Sequence, residues 1–366
     1  MTLGRYLARR FLLTVGLVAA VFAGILMLID MVEQIRRYAG NPDAGLSQAA
    51  QIAALNLAGG IYGILPLVVM LGSVALFLAL ARSSELVVIR AAGRSAIRAL
   101  LAPALAAFCL GVVAVAVLNP LVAATARVSE DVSSRLSRDG VQSVLSVSRE
   151  GLWLRQGSPA GQTVIRAARA NQDGTQLFAA TFIDFDAQGQ PLSRIEAAEA
   201  RLSPGFWDLS QVKEWHLADP NPEKTATRAD AARLPTDLTA DRIRESFSAP
   251  DAIAIWDLPA FIEGLERAGF SAQKHRVWLQ RELALPLTLA AMVLLAAGFT
   301  MRHVRFGRSG TMVLLAVLAG FAMFFLRNFA QVLGENGQIP VALAAWAPPA
   351  VALMASMGLL LHLEDG

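Results

Sequence analysis

Lysine is almost missing from this chain of 366 residues: it occurs only at Lys213, Lys224 and Lys274, and none of the three follows a glycine. A phosphate-binding loop of the form GxxxxGK[ST] therefore cannot form here. Cysteine is scarcer still. Cys109 stands alone inside an apolar run, which excludes a disulfide framework and a thiolate metal site. Four scattered histidines without HExxH give no metal motif. Neither GxSxG nor a GxGxxG on a strand–helix turn is present. Charge is sparse as well: 17% of residues are charged and 55% are hydrophobic. That balance excludes a soluble globular protein and points to a multi-span membrane protein. A formal charge of only +3 leaves no room for a large nucleic-acid-binding face.

What the chain has in abundance is long apolar runs. The basic start MTLGRYLARR is followed by about 19 uncharged residues, 11–29. Ala23 after Val21 fits a signal-peptide cleavage site, but the run continues past it and is long enough to span, which favours a retained first span. Asp30, Glu33, Arg36 and Arg37 then mark the far interface. The second run, 52–81, exceeds one straight span. It either begins along the interface or kinks at Pro66. Runs 99–126, 283–301, 309–326 and 339–363 complete six.

Arginine sets the orientation. Arg5, Arg9 and Arg10 flank span one; Arg82, Arg90, Arg94 and Arg98 separate spans two and three; Arg302, Arg305 and Arg308 separate spans four and five. With six spans all three clusters fall on one side, which the positive-inside rule makes cytoplasmic, and both termini with them. Residues 130–275 then lie on the far side. They read as short alternating strands at 141–147, 151–155, 163–168, 176–185, 195–202 and 205–209, separated by Gly-, Pro- and Asn-rich turns. Such a pattern predicts a β-sandwich or jelly roll ending near Pro235. A short helix at 258–269 and residues 275–281 lead back to the membrane.

The stretch Arg82–Arg98, RSSELVVIRAAGRSAIR, is basic at both ends and apolar in the middle. It predicts a short surface helix, about residues 83–93, with Ser84 as N-cap, Glu85 in the first turn and Gly93 as a stop. Its apolar residues are too few to anchor in lipid alone, so another protein suits them as a partner; an ordinary positive-inside loop is the plainer alternative.

The residues also carry a resemblance. The segment Ser84-Glu85-Leu86-Val87-Val88-Ile89-Arg90-Ala91-Ala92-Gly93, the β start Glu150-Gly151-Leu152-Trp153 and the first-span exit Val32-Glu33-Gln34-Ile35-Arg36-Arg37 resemble the lipopolysaccharide-export permeases LptF and LptG over nearly the whole chain. The exit Glu33–Arg37 and the ending Leu361-His362-Leu363-Glu364 are more similar to the G type. The resemblance implies an α-helical integral membrane protein with six transmembrane helices and an inserted all-β periplasmic jelly-roll domain. Its parts would be spans 1–3 at 1–129, the β domain and linker at 130–275, and spans 4–6 at 276–366.

It further implies a non-catalytic inner-membrane permease subunit of an ABC transporter, with no cofactor of its own. ATP would be bound by a separate LptB-like ATPase dimer. An LptF-like permease would pair with it, and an LptC-like single-span protein and an LptA bridge would receive the lipopolysaccharide; no nucleic acid is involved. Glu85, Leu86, Val88, Ile89 and Arg90 would couple to the ATPase, with Glu85 at a basic groove edge and the apolar side chains buried. Arg36, Arg37 and Arg127 would meet lipid phosphates, since arginine suits bidentate phosphate contact; generic interface anchoring is the alternative. Asp30 stands where relatives carry a lysine, which moves that contact toward the arginine pair. The rival readings are the paralogous LptF subunit and a non-transporting scaffold. A membrane enzyme would need a His, Asp or Ser constellation that the sequence does not offer.

Overall fold

The computed structural model describes residues 2–37, 45–83, 85, 96–136, 145–148, 151–158, 161–171, 174–186, 188–236, 238–239, 243, 250–267, 271–301 and 309–364. Two compact units emerge. One comprises Met1–Leu136, Asp251–Trp256 and Gln273–Gly366; the other comprises Ser137–Pro250 and Asp257–Ala272.

The helices of the first unit are α1 (Thr2–Arg37), α2 (Leu46–Gly63), α3 (Leu65–Arg82), α4 (Ala96–Val113), α5 (Asn119–Leu136), α7 (Gln273–Leu283), α8 (Leu285–Thr300), α9 (Ser309–Glu335) and α10 (Val341–Glu364), with α6 (Leu258–Arg267) in the other unit. Among the described residues five helices are long and apolar enough to cross a membrane, and α7 with α8, bent by 52°, makes a sixth span when the pair is taken as one. Six is the number read from the apolar runs. Several helices outlast those runs: α1 continues from 29 to Arg37, and α9 from 326 to Glu335.

Proline explains where the spans break. Pro66, Pro120 and Pro286 each follow a local irregularity: Ile64 between α2 and α3, a π-helical turn at Ala114–Leu118 before α5, and Ala284 between α7 and α8. A proline has no N–H and its ring crowds the carbonyl four residues earlier, which weakens the ladder at these three places, whereas Pro103 in α4 and Pro348 and Pro349 in α10 are carried inside their helices. For Pro120 that carbonyl belongs to Ala116, and it accepts the indole N–H of Trp256 at 3.3 Å instead. The second apolar run is thus broken next to Pro66, one of the two ways its length could be accommodated.

Helix α8 is the centre of this unit, packing on α3, α4, α9 and α10. Like α3 it is apolar all round, as a helix buried on every side must be. Small residues set the closest approaches. A Cβ on Gly72 would sit 2.9 Å from the backbone of Val15 in α1, and one on Gly111 would collide with the backbone of Pro286. Helix α1 is different: Leu13, Leu17, Val21, Leu28 and Val32 are exposed, a face that lipid or another chain must cover.

In the second unit β1 (Leu145–Ser148), β2 (Gly151–Ser158), β3 (Gly161–Ala170), β4 (Gln176–Asp186), β5 (Pro191–Ser203), β6 (Phe206–His216) and β7 (Thr227–Pro235) form one antiparallel sheet in chain order. Turns with left-handed glycines, Gly189 at φ +81° and Gly205 at φ +85°, join β4 to β5 and β5 to β6. One face carries the core: Leu152, Leu154, Ile165, Leu177, Phe182, Ala200 and Trp207 are all fully enclosed, with Phe182 edge-on to Trp207 at 6.2 Å.

The sheet also curls. The side chain of Gln156 in β2 bonds the carbonyl of Pro235 at 3.4 Å and accepts the hydroxyl of Thr236 at 2.5 Å. Five strand spacings separate β2 from β7, about 24 Å in a flat sheet, so this contact requires the sheet to fold back on itself. The all-β module expected from the alternating pattern is present. It includes β7, whose sequence TRADAARLP lacks alternation because this strand is mostly exposed.

Candidate functional site

Two places in the first unit bring the sequence-predicted residues into a defined geometry. The first lies where α1 starts and α3 ends. Glu85 is the described residue of the predicted coupling group, and Leu86, Val88, Ile89 and Arg90 lie outside the described residues, as do Ser84 and Gly93. The Glu85 carboxylate is held from three directions. Arg10 Nη1 donates to both its oxygens at 2.7 and 2.9 Å, Tyr6 donates its hydroxyl at 3.0 Å and Ser83 donates at 2.9 Å. Arg10 also lies over the Tyr6 ring and donates to its hydroxyl at 2.7 Å. The Arg10 guanidinium holds the Glu85 carboxyl below the usual carboxylate range; partial burial opposes this, and Ser83 and Tyr6 reinforce it. The group expected to face a partner's basic edge is therefore already engaged by the first helix of its own chain.

The second place is the other end of α1. Between α1 and α2 lies a cavity of about 700 Å³, walled by Leu26, Ile29, Val32 and Leu57 with Asp30 and Asn56 on its wall. Asp30 accepts from Asn56 at 2.9 Å and from Gln34 at 3.2 Å, and Asn56 in turn accepts the Ser129 hydroxyl at 2.7 Å. A polar chain thus ties α5 to α2 and α2 to α1 beside an apolar hollow. Arg36 and Arg37 stand exposed at the last turn of α1. Arg127, also exposed on α5, donates Nε to the carbonyl of Ala252 at 3.1 Å. The arginine pair and Arg127 accordingly flank α2, which packs on both α1 and α5. Arg127 spends part of its hydrogen-bonding capacity on holding the Asp251–Trp256 strap.

Sequence reasoning missed several of these partners. The sequence marks Arg10 only as an orientation signal and does not single out Asn56 or Ser129. Glu282 and Arg327, both buried, were missed because the apolar runs were cut at them, at 283 and at 326. An ionisable residue at the edge of an apolar run is the signal that finds them. Among the described residues no cluster of His, Cys, Asp or Glu has metal-site geometry.

These features define a class: a multi-pass membrane protein with an inserted antiparallel β unit, built to contact lipid. The family described as lipopolysaccharide export system permease LptF/LptG matches residues 5–362. The lipopolysaccharide export system permease protein LptG of Escherichia coli strain K12 is 24% identical over 364 residues, covering 98% of each chain. That of Haemophilus influenzae KW20 is 24% identical over 340 residues, covering 92% of this chain and 91% of its own. The chain belongs to the LptF/LptG lipopolysaccharide export permease family.

Proposed function

We propose that this chain is the G-type permease subunit of an ATP-driven exporter in a Gram-negative inner membrane. It pairs with an F-type permease, takes lipopolysaccharide from the membrane and passes it to an LptC-like and LptA-like periplasmic bridge. The arginine-bearing helix ends face the cytoplasm by the positive-inside rule, and the β unit faces the periplasm. The similarity to proteins named LptG supports the G type.

The physical demand is plain. Exposing one acyl chain of about twelve methylenes to water costs roughly 10 kcal/mol, so a lipid with several chains needs an apolar path throughout. A curled sheet with an apolar face supplies the outer part of such a path provided it opens along one edge, and the hollow between α1 and α2 supplies the inner part. Energy comes from a separate ATPase that docks on the Glu85 segment, where the apolar contacts dominate because rim ion pairs are weak.

The observation that carries this reading is α1 itself. One end grips Glu85 through Arg10 and Tyr6, and the other walls the cavity through Leu26, Ile29 and Val32. A helix of 36 residues, about 54 Å of rigid rod, joins the place where work enters to the place where lipid sits. Arg36 and Arg37 take the lipid phosphates at its outer end. The test is Glu85→Arg in the reconstituted complex. Loss of ATPase co-purification or of ATP-dependent lipid release is expected, and unchanged binding and release would end the coupling role. Pull-down with a known F-type or G-type partner decides the type, with capture by the F-type expected.

A further inference from the structure

Three proline breaks of the membrane unit are fastened to one another by a single side chain. Glu282 lies two residues before the Ala284 break and four before Pro286; Tyr62 lies two before the Ile64 break and four before Pro66. The surrounding sequences, Ile64-Leu65-Pro66-Leu67 and Ala284-Leu285-Pro286-Leu287, repeat one pattern in the two halves of the chain. Tyr62 donates its hydroxyl to Glu282 Oε2. Asn119, which immediately precedes Pro120, donates Nδ2 to the same oxygen at 3.4 Å, while its own Oδ1 accepts the backbone N–H of Ile255 at 2.8 Å. Glu282, Asn119 and Tyr62 are all buried, and the charges of Arg281 and Arg327 bear on the carboxyl group.

The level of this hub is fixed by counting. From Tyr62 to Arg82, from Asn119 back to Arg98, from Glu282 to Met301 and from Arg327 back to Ser309 is each time roughly 20 residues, about 30 Å of helix. That is one hydrocarbon thickness. The hub therefore lies at the membrane boundary opposite the arginine-rich ends. On the arginine side α3 and α8 pack directly on each other; beyond the hub the chain continues as α2, α5 and α7. A buried acidic residue is costly unless its carboxyl group is satisfied, and Tyr62 and Asn119 supply that satisfaction at the shared break.

We propose that Glu282 is a positioning residue for transport: by pinning the three proline breaks together it makes the segments beyond them, α2, α5 and α7, with the neighbouring ends of α9 and α10 to which Gln273 and Gln280 of α7 are hydrogen-bonded, swing as one body against the packed α3–α8 pair. Breaks at proline absorb the backbone rotation, and the shared carboxyl keeps the three swings in phase. The inference rests on the export reading only for what the motion serves.

The test uses the full-length chain in its assembled complex in lipid nanodiscs, with Cys109 replaced by alanine. Spin labels at Leu46→Cys and Lys274→Cys report α2 against α7; labels at Ala79→Cys and Phe299→Cys report α3 against α8. Against the unsubstituted hub, Glu282→Leu and Tyr62→Phe should widen the first distance distribution at least twofold and leave the second unchanged. Glu282→Gln, which keeps an acceptor for Tyr62, should stay within a factor of two of wild type. ATP-driven lipopolysaccharide release should fall at least tenfold in Glu282→Leu while basal ATP hydrolysis stays within twofold. Equal broadening of both distances would reduce Glu282 to a packing role, and no broadening would overturn the hub altogether. Glu282→Gln failing like Glu282→Leu would overturn the hydrogen-bond account. The distance arms read the hub whatever the cargo, so absence of lipopolysaccharide release by wild type would strike the export reading and leave this one to be judged separately.

Discussion

Arg10 and Glu85 are 75 residues apart in sequence, and one guanidinium nitrogen of Arg10 contacts both carboxylate oxygens of Glu85, at 2.7 and 2.9 Å. The pair locks the first turn of the predicted coupling segment to the start of the first membrane helix. Both side chains are about one-third exposed, 32% and 33%, so solvent screens the attraction to roughly 1 kcal/mol or less. Because the Glu85 carboxyl is held below the usual carboxylate range, the contribution is complete above that range and lost as pH falls through the lowered value. A double-mutant cycle of Arg10→Ala and Glu85→Ala, read from Tm, should show coupling at neutral pH and none in acid. Coupling that grew on acidification would contradict the assignment.

The close approach of α4 to α8 rests on Gly111, where any Cβ would meet the backbone of Pro286. Gly111→Val should lower stability by about 1–3 kcal/mol through overpacking. Gly24 in α1 has open space around it, and Gly24→Val is the control, expected to leave stability unchanged. Thermal melts of the two variants in one detergent make the comparison.

The exposed arginines should separate by role. Arg36→Glu with Arg37→Glu is expected to cut lipopolysaccharide photo-crosslinking several-fold with complex assembly intact. Arg127→Ala removes the bond to the Ala252 carbonyl and should lower stability by about 1 kcal/mol as well as weakening crosslinking. Parallel loss of assembly and crosslinking in the Arg36 and Arg37 variant would mark a folding effect.

In the β unit, Trp207 is fully enclosed and its indole N–H has no partner among the described residues. Trp207→Ala should cost about 3–5 kcal/mol. Trp207→Phe removes the unpaired donor and should cost well under half of that. Protease resistance of the β segment in the intact chain reads both.

Hydropathy and arginine placement were enough to show six spans and the β insertion, because lipid demands uninterrupted apolar length and a β face demands alternation. The strand starts at Gly151 and Gln176 were legible for the same reason, and the start at 205 fell one residue before Phe206. Strand β7 was not, since an exposed strand is free of the alternation that burial imposes. The end of α9 was misjudged at 326 because hydropathy registers Arg327 as an end, whereas the helix ladder runs on to Glu335; the start at 283 lies within two residues of Leu285, where α8 begins after the Ala284 break. The Arg10–Glu85 contact was invisible because nothing in either local sequence encodes a pairing across that separation. Glu85 itself stood out only through its apolar and basic surroundings.

The order of the sheet has a consequence for biosynthesis. Among the described residues every strand from β1 to β7 pairs only with its neighbours in the chain, so each ladder closes a short loop and relative contact order is low for an all-β unit. A nascent chain can lay the hairpins down one after another as they emerge, before the fourth span has been synthesised. Exposure of unpaired edges to aggregation is then brief, and the later helices are made after the β module has folded.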